Sequence, residues 1–213
     1  MEKSGKRRCY GRRVAVFLVL LALAGCAPKT PRLPALAPEA VVLAFGDSLT
    51  FGTGANPEES YPAQLSRLIG RTVVNAGVPG EVSSEGLARL PGLLDAHSPA
   101  LLVLCHGGND FLRRLDESAT AQNLRGMVRL ARSRGIAVVL IGVPRAELAL
   151  SVPAFYTELA AAEKLPVEAG ILSTIERDHA LKSDSIHPNA AGYRRFAETI
   201  AGLLRAAGAV EKR

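Results

Sequence analysis

Residues 41–50 read VVLAFGDSLT: a run of apolar side chains that ends at Gly46 and gives way to Asp47-Ser48. The run is continuous rather than alternating, which predicts a strand buried on both faces. The same signal returns at Thr72–Ala76 (TVVNA), Ala100–Cys105 (ALLVLC) and Ile136–Val143 (IAVVLIGV). Helical spacing fills the gaps at Tyr61–Ile69, Ser84–Ala96 and Ser118–Arg134. In the last, Leu124, Met127, Val128 and Ala131 share one stripe while Arg125, Arg129 and Arg132 face water, and Gly135 supplies a stop. A final helix is predicted over Asn189–Ala207, with Tyr193, Ala197, Ile200, Ala201 and Leu204 inward. Between Pro144 and Ser183 the pattern is weaker: a helix at Ala154–Lys164, a short edge strand at Leu165–Val167 and a helix at Ile171–Asp178. Alternating strands and helices predict a three-layer α/β/α sandwich around a parallel sheet. Right-handed crossovers favour a flavodoxin-like sheet of about five strands in the order 2-1-3-4-5. In that order ligands bind at the carboxyl ends of the strands, near the switch point between strands 1 and 3.

The chain has 213 residues, 48% of them hydrophobic, which fits one domain with a tail and excludes global disorder. No period of repeat length is visible. The formal net charge is +6, which invites a nucleic-acid reading. The charge sits at the front, however. Residues 1–25 carry Lys3, Lys6, Arg7, Arg8, Arg12 and Arg13 against Glu2, a net +5. The rest is nearly neutral, aromatics make up 5% and Trp is absent, so no nucleic-acid partner is expected.

That basic front runs into the apolar stretch Val14–Ala24, then Gly25-Cys26, the layout of a secretory signal. Eleven apolar residues make a helix of about 16 Å, too short to span a hydrocarbon core of about 30 Å. Cys105 lies inside a predicted strand and reads as a small buried hydrophobe rather than a catalytic thiol. Residues 27–39 contain Pro28, Pro31, Pro34 and Pro38 and read either as a semi-extended tether or as an irregular segment packed on the domain. The domain proper is expected to begin near Val41.

Chemistry-bearing residues cluster where strands end. Ser48 follows strand 1 at an expected helix start, where unpaired N–H groups and a positive local dipole suit a nucleophile whose substrate oxygen becomes an oxyanion. A helix cap is the bland alternative for Asp47-Ser48. Strand 2 ends in NAGVPGE (75–81), whose glycine-rich turn can present a backbone N–H to the same crevice, with turn chemistry alone as the bland alternative. Strand 3 ends in GGND (107–110), where Asn109 can aim an amide donor. Before the last helix, DSIHPN (184–189) places a carboxylate three residues ahead of a histidine, a spacing that lets Asp184 hold the His187 tautomer. His97 and His179 read as surface residues, and His106 flanks the strand 3 loop with no role assigned. Four scattered histidines, no HExxH and no cysteine pair argue against a metal site. The acidic pairs Glu58-Glu59 and Asp116-Glu117 read as solvated surface.

Taken in order, GDSLT (46–50), NAGVPGE (75–81), GGND (107–110) and DSIHPN (184–189) resemble the blocks of the SGNH, or GDSL, hydrolase family over residues 41–207. GLARLPGLL (86–94) and the GGND loop look most like the bacterial periplasmic thioesterase/lysophospholipase/arylesterase subgroup. The resemblance implies a serine esterase acting on aryl esters, acyl thioesters or lysophospholipids, without cofactor or metal. It implies Ser48 as nucleophile, His187 as general base, Asp184 as its orienting acid, and an oxyanion hole from the Ser48 N–H, Gly80 and Asn109. The family often has Ser-Gly-Asp-Thr around the second block, where this chain has Pro79-Gly80-Glu81-Val82. LAGC (23–26) resembles the bacterial lipobox, which implies a signal peptide over 1–25, a diacylglycerol on Cys26, and a lipidated Cys with a Pro-rich tether over 26–40. Ala27 is not Asp, which in a Gram-negative host resembles outer-membrane sorting, facing the periplasm. A monomer whose partners are an ester substrate and, through its lipid, a membrane is the expectation.

Two other functions fit the same residues. One is a carbohydrate O-acetyl esterase of the cell envelope, and the other a lipid-anchored binding module without turnover. Leu112, Leu115, Pro144 and Leu148 lie in predicted loops that could line an acyl pocket, which favours lipid or aryl esters. The fold sets one geometric condition. Strand 5 lies about 14 Å from strand 1 at roughly 4.8 Å per strand, so the segment 168–187 must cross the sheet end to bring His187 to Ser48.

Overall fold

The computed structural model describes Met1, residues 30–147 and residues 149–211. The leader from Glu2 onward, Cys26, the tether up to Lys29, and Leu148 lie outside the described residues. The described chain forms one parallel sheet of β1 (Val41–Gly46), β2 (Thr72–Gly77), β3 (Leu101–Cys105), β4 (Ala137–Ile141) and β5 (Val167–Glu168), in the order β2-β1-β3-β4-β5. Its helices are α1 (Ser48–Phe51), α2 (Tyr61–Ile69), α3 (Ser83–His97), α4 (Gly108–Leu112), α5 (Glu117–Ser133), α6 (Ala154–Glu163), α7 (Ile171–Arg177) and α8 (Ala190–Ala207).

The order explains the layers. The chain steps outward from β1 to β2 through α2, then reverses past β1 to β3 through α3. With right-handed crossovers the two helices fall on opposite faces. Accordingly α2 packs on α8, and α3 packs on α5, which also meets α6. Val42–Phe45, Leu101–Cys105 and Val139–Ile141 are fully buried between the layers. Leu124, Met127, Val128 and Ala131 from α5 and Tyr193, Ala197, Ile200, Ala201 and Leu204 from α8 point into this core as their spacing predicts.

β2 departs from the expectation of burial on both faces. It is an edge strand, and of its residues only Ala76 is buried. Thr72 and Asn75 in TVVNA are the polar members of the run, and they fit an edge that water reaches. β5 is shorter and lies later than predicted, at Val167–Glu168. Of the two readings for the Pro-rich segment, its described part follows the packed one. Leu33 donates its N–H to the carbonyl of Ala207, the last residue of α8, and Leu36 to that of Ala209 just beyond it; Arg71 Nη2 donates to Leu36 O, and Leu36 is buried. Among the described residues no helix is long and apolar enough to cross a membrane.

Strand register fixes where chemistry emerges. Gly46 pairs with Gly77 on one side and Cys105 on the other, and Cys105 pairs with Ile141. The loops after β1, β2, β3 and β4 therefore leave the sheet at one level, at its carboxyl edge.

Candidate active site

The turn after β1 is built by Asp47. Its side-chain Oδ1 accepts the Leu49 N–H at 3.0 Å, capping α1, and the residue is 1% exposed. Burial raises the Asp47 carboxyl, and the facing His106 opposes that rise. The capping reading is met by Asp47, and Ser48 opens α1 with its N–H free of any intrahelical acceptor.

The loop before α8 closes on Ser48 from the far side of the sheet. Asp184 Oδ1 accepts the N–H groups of Ile186 and His187, both at 2.8 Å, which folds the turn tightly. Asn189 holds the turn's exit, capping α8 through Gly192 N and donating to the Ala180 and Lys182 carbonyls. Asp184 Oδ2 lies 2.7 Å from His187 Nδ1, and His187 Nε2 lies 3.0 Å from Ser48 Oγ. An ionised carboxylate only accepts, so Nδ1 carries the proton and Nε2 is left to accept from the Ser48 hydroxyl. Burial works to raise the Asp184 carboxyl, but its bonds to Ile186 N–H and His187 outweigh it and hold it at about 2. The crossing of the sheet end that the predicted order required is made by α7 and the turn from His179 to Leu181.

The candidate oxyanion donors come from the other two loops. Gly80 has φ +80°, a left-handed turn that suits glycine, and its N–H enters no hydrogen bond among the described residues. Its carbonyl accepts Arg113 Nη2 at 2.7 Å, so the end of α4 fixes the turn's orientation. Asn109 Nδ2 donates to Glu81 O at 3.0 Å. An amide has two N–H donors, so this bond sets the rotamer and leaves one donor for the cleft. Asp110 ties this loop down by accepting from Ser83 N and Ser83 Oγ and from Thr120 Oγ1.

These elements surround a small cleft, open to solvent, whose lining includes Ser48, Asn109 and His187. Leu49, Leu112, Val143, Pro144 and Ile186 give it an apolar wall. Of the four residues expected in an acyl pocket, Leu112 and Pro144 line this cleft. Leu115 lines an adjoining depression that shares Leu112 and Ala146 with it, and Leu148 is outside the described residues. Gly80 is not among the residues that line this cleft.

The fold agrees with known proteins. The GDSL-like lipase/acylhydrolase family profile matches residues 44–195. The chain belongs to that family. It is 33% identical to esterase TesA of Pseudomonas aeruginosa over 177 residues, covering 77% of this chain and 87% of that protein. Thioesterase 1/protease 1/lysophospholipase L1 of Escherichia coli is 31% identical over 184 residues, 82% of each chain. A crystal structure of TesA superposes with a TM-score of 0.70 at 30% identity, covering 78% of this chain and 99% of that one. This GDSL chain is a serine esterase by that membership, and a binding module without turnover is set aside.

Sequence reasoning missed several supporting residues. Glu81 is buried and holds both Arg89 and His106. The acidic pair at 116–117 is only partly the solvated surface it was expected to be, since Asp116 caps α5 and Glu117 pairs with Arg145. Glu176 lines the cleft from α7. No local signal marks it, because the weak pattern of that segment did not fix which side of its helix faces inward. Cys105 is buried and free as expected, and burial pushes its thiol well up, away from nucleophilic use.

Proposed function

We propose that this esterase hydrolyses carboxylic ester or thioester bonds through an acyl-Ser48 intermediate. The observation that carries the reading is the continuous chain Asp184 Oδ2–His187 Nδ1 (2.7 Å) and His187 Nε2–Ser48 Oγ (3.0 Å), ending in an apolar cleft. His187 Nε2 takes the Ser48 proton as Oγ attacks the carbonyl carbon. The negative oxygen that forms is met by the Ser48 N–H, the Gly80 N–H and the unspent Asn109 donor. His187, now an imidazolium steadied by Asp184, gives its proton to the leaving oxygen or sulfur. Water then enters, His187 takes its proton, and the acyl-enzyme is hydrolysed.

Aryl esters, acyl thioesters and lysophospholipids are the proposed substrates. The apolar wall of Leu49, Leu112, Val143, Pro144 and Ile186 supports an acyl or aryl group over a sugar. Labelling by a fluorophosphonate tests the nucleophile. The label should sit on Ser48 and vanish in Ser48→Ala, and esterase activity surviving in that variant would refute the assignment. Hydrolysis confined to acetyl esters would point to a carbohydrate O-acetyl esterase instead.

We further propose that the mature protein is a cell-envelope lipoprotein held by lipid on Cys26, on the outer membrane facing the periplasm if the host is Gram-negative. The basic n-region, the short apolar stretch and LAGC (23–26) support this. Palmitate labelling lost in Cys26→Ser would agree, and unlipidated Cys26 would exclude it.

A further inference from the structure

Glu176 stands out among the carboxyl groups of the domain. It sits on α7 and lines the same cleft as Ser48 and His187, yet no hydrogen bond or ion pair holds its carboxyl among the described residues. The other half-buried or buried glutamates are engaged. Glu81 is held by Arg89 and His106, Glu163 by Arg129 and Arg132, and Glu168 by the N–H groups of Gly170 and Ile171. A carboxylate taken from water without a partner costs free energy, and its place in a cleft makes it available to a ligand. The cleft wall contains no Lys or Arg, while its acidic members are Asp47 and Glu176. Asp47 is spent on capping α1, so Glu176 is the carboxylate left for the substrate.

We propose that Glu176 selects substrate, drawing esters that carry a positive charge close to the scissile bond into the Ser48 cleft. This rests on the serine-esterase reading of that cleft and adds a substrate class to it. A cation over the cleft gains a Coulomb attraction that its neutral isostere lacks, and an anion is repelled. The surrounding charges leave Glu176 dominant. Arg177 turns away to donate to Ala149 O, and Arg145 is engaged by Glu117. Lys182 acts on Glu176 from a distance without forming an ion pair, and His187 is tied to Asp184. Burial raises the Glu176 carboxyl to about 7, against the opposing pull of Lys182, so its charge is lost in mildly acidic solution.

The test compares matched substrates on the purified full chain. Butyrylcholine and 3,3-dimethylbutyl butyrate differ by one nitrogen for one carbon and place the charge in the alcohol. Phenyl 4-(trimethylammonio)butyrate and phenyl 5,5-dimethylhexanoate do the same in the acyl group. The readout is the ratio of kcat/KM within each pair, in which any general loss of turnover cancels. At about pH 8 the wild type should favour the cation in at least one pair by roughly tenfold. That preference should collapse toward unity in Glu176→Gln. It should also shrink in the wild type at about pH 6, below the raised Glu176 pKa, a measurement that needs no variant. Ratios near unity in both pairs, or a preference that neither the substitution nor acid removes, would overturn the proposal. Continued hydrolysis of p-nitrophenyl butyrate and fluorophosphonate labelling of Ser48 would then leave the esterase reading standing. Loss of both in the wild type would overturn the two together.

Discussion

His106 Nε2 lies 3.0 Å from Glu81 Oε2, inside the domain, and that contact ties the loop after β2 to the loop after β3. The protonation of His106 follows from its other nitrogen. Gly107 N–H donates to Nδ1 at 3.0 Å, so Nδ1 accepts and Nε2 carries the hydrogen that reaches Glu81. Arg89 Nε and Nη2 complete the clamp at 2.7 Å each. Glu81 follows Gly80 directly, and its own carbonyl accepts Asn109 Nδ2. One glutamate thus links the Gly80 turn to the Asn109 side chain, the two donors assigned to the proposed oxyanion hole.

Glu81→Gln should therefore lower kcat more than it raises KM. It should also destabilise the fold by about 3 kcal/mol, the low end for breaking a buried pair, because Arg89 is partly exposed. Steady-state kinetics beside urea unfolding would check both. An unchanged kcat in a destabilised protein would leave Glu81 with a purely structural role.

Asn109→Ala removes a donor of the proposed oxyanion hole. The expected loss in kcat is about 10²–10³, or roughly 2.7–4 kcal/mol of activation free energy, with little change in KM. A smaller loss would mean that Ser48 and Gly80 carry the oxyanion without it.

Asp184→Asn should leave the His187 ring in place but favour the wrong tautomer. The reference loss for a fully buried triad aspartate is about 10⁴ in kcat. Asp184 is 51% exposed, so water can partly substitute for it, and a loss closer to about 10² is expected here. Turnover of p-nitrophenyl esters by the two proteins measures it.

Much of this layout is legible in the sequence because both the strand signal and the motif positions depend on local order. Continuous apolar runs gave β1, β3 and β4, and the residues after them fell at the carboxyl edge through parallel register. The register brings the loops that carry Ser48, Gly80 and Asn109 out at one edge of the sheet. β2 was misjudged because an apolar run does not distinguish a central strand from an edge one. Glu81, Arg89 and His106 stayed invisible because their bonds join residues that are 8 and 25 apart in the chain, across loops. Glu176 required the rotation of a short helix in a segment whose periodicity is weak.

Acid should unfold the protein through two carboxyls. Glu81 and Asp184 both titrate at about 2 in the folded state, below their ordinary values of 4.5 and 3.8. Depressed values mean that their stabilisation is present above the ordinary range and is lost as pH falls toward about 2. Glu176 has the opposite sign. Its carboxyl is raised from 4.5 to about 7, so it costs nothing at low pH and destabilises progressively as pH rises through that interval. Glu176→Gln should thus raise Tm above about pH 7 and leave it unchanged below about pH 4.5. Calorimetric scans across pH would show it, and a constant offset at every pH would refute the assignment.

Gly107 has φ +113°, and a Cβ there would come within 2.6 Å of the Tyr156 hydroxyl. That hydroxyl is not free to move, since it donates to His106 O at 2.7 Å. Gly107→Ala should cost about 1–3 kcal/mol in backbone strain alone and shift the loop that carries Asn109. Turnover should fall by more than the loss of folded protein explains, which active-site titration with a fluorophosphonate can separate.

The apolar wall makes the final prediction. Leu112 is 48% exposed and Leu115 45% exposed; Leu112 lines the catalytic cleft, and both line the adjoining depression. Large aliphatic side chains left in water at a cleft mouth have apolar surface to bury, and an acyl chain can cover them. Each methylene that reaches Leu112 should contribute up to about 0.8 kcal/mol, or about fourfold in kcat/KM, until the chain passes the wall. The p-nitrophenyl ester series should therefore climb with acyl length and then level. Leu112→Asp should flatten the climb, lowering long-chain ester turnover more than acetyl ester turnover. A series that is flat in the wild type would mean that the acyl chain lies elsewhere and that Leu112 faces the leaving group.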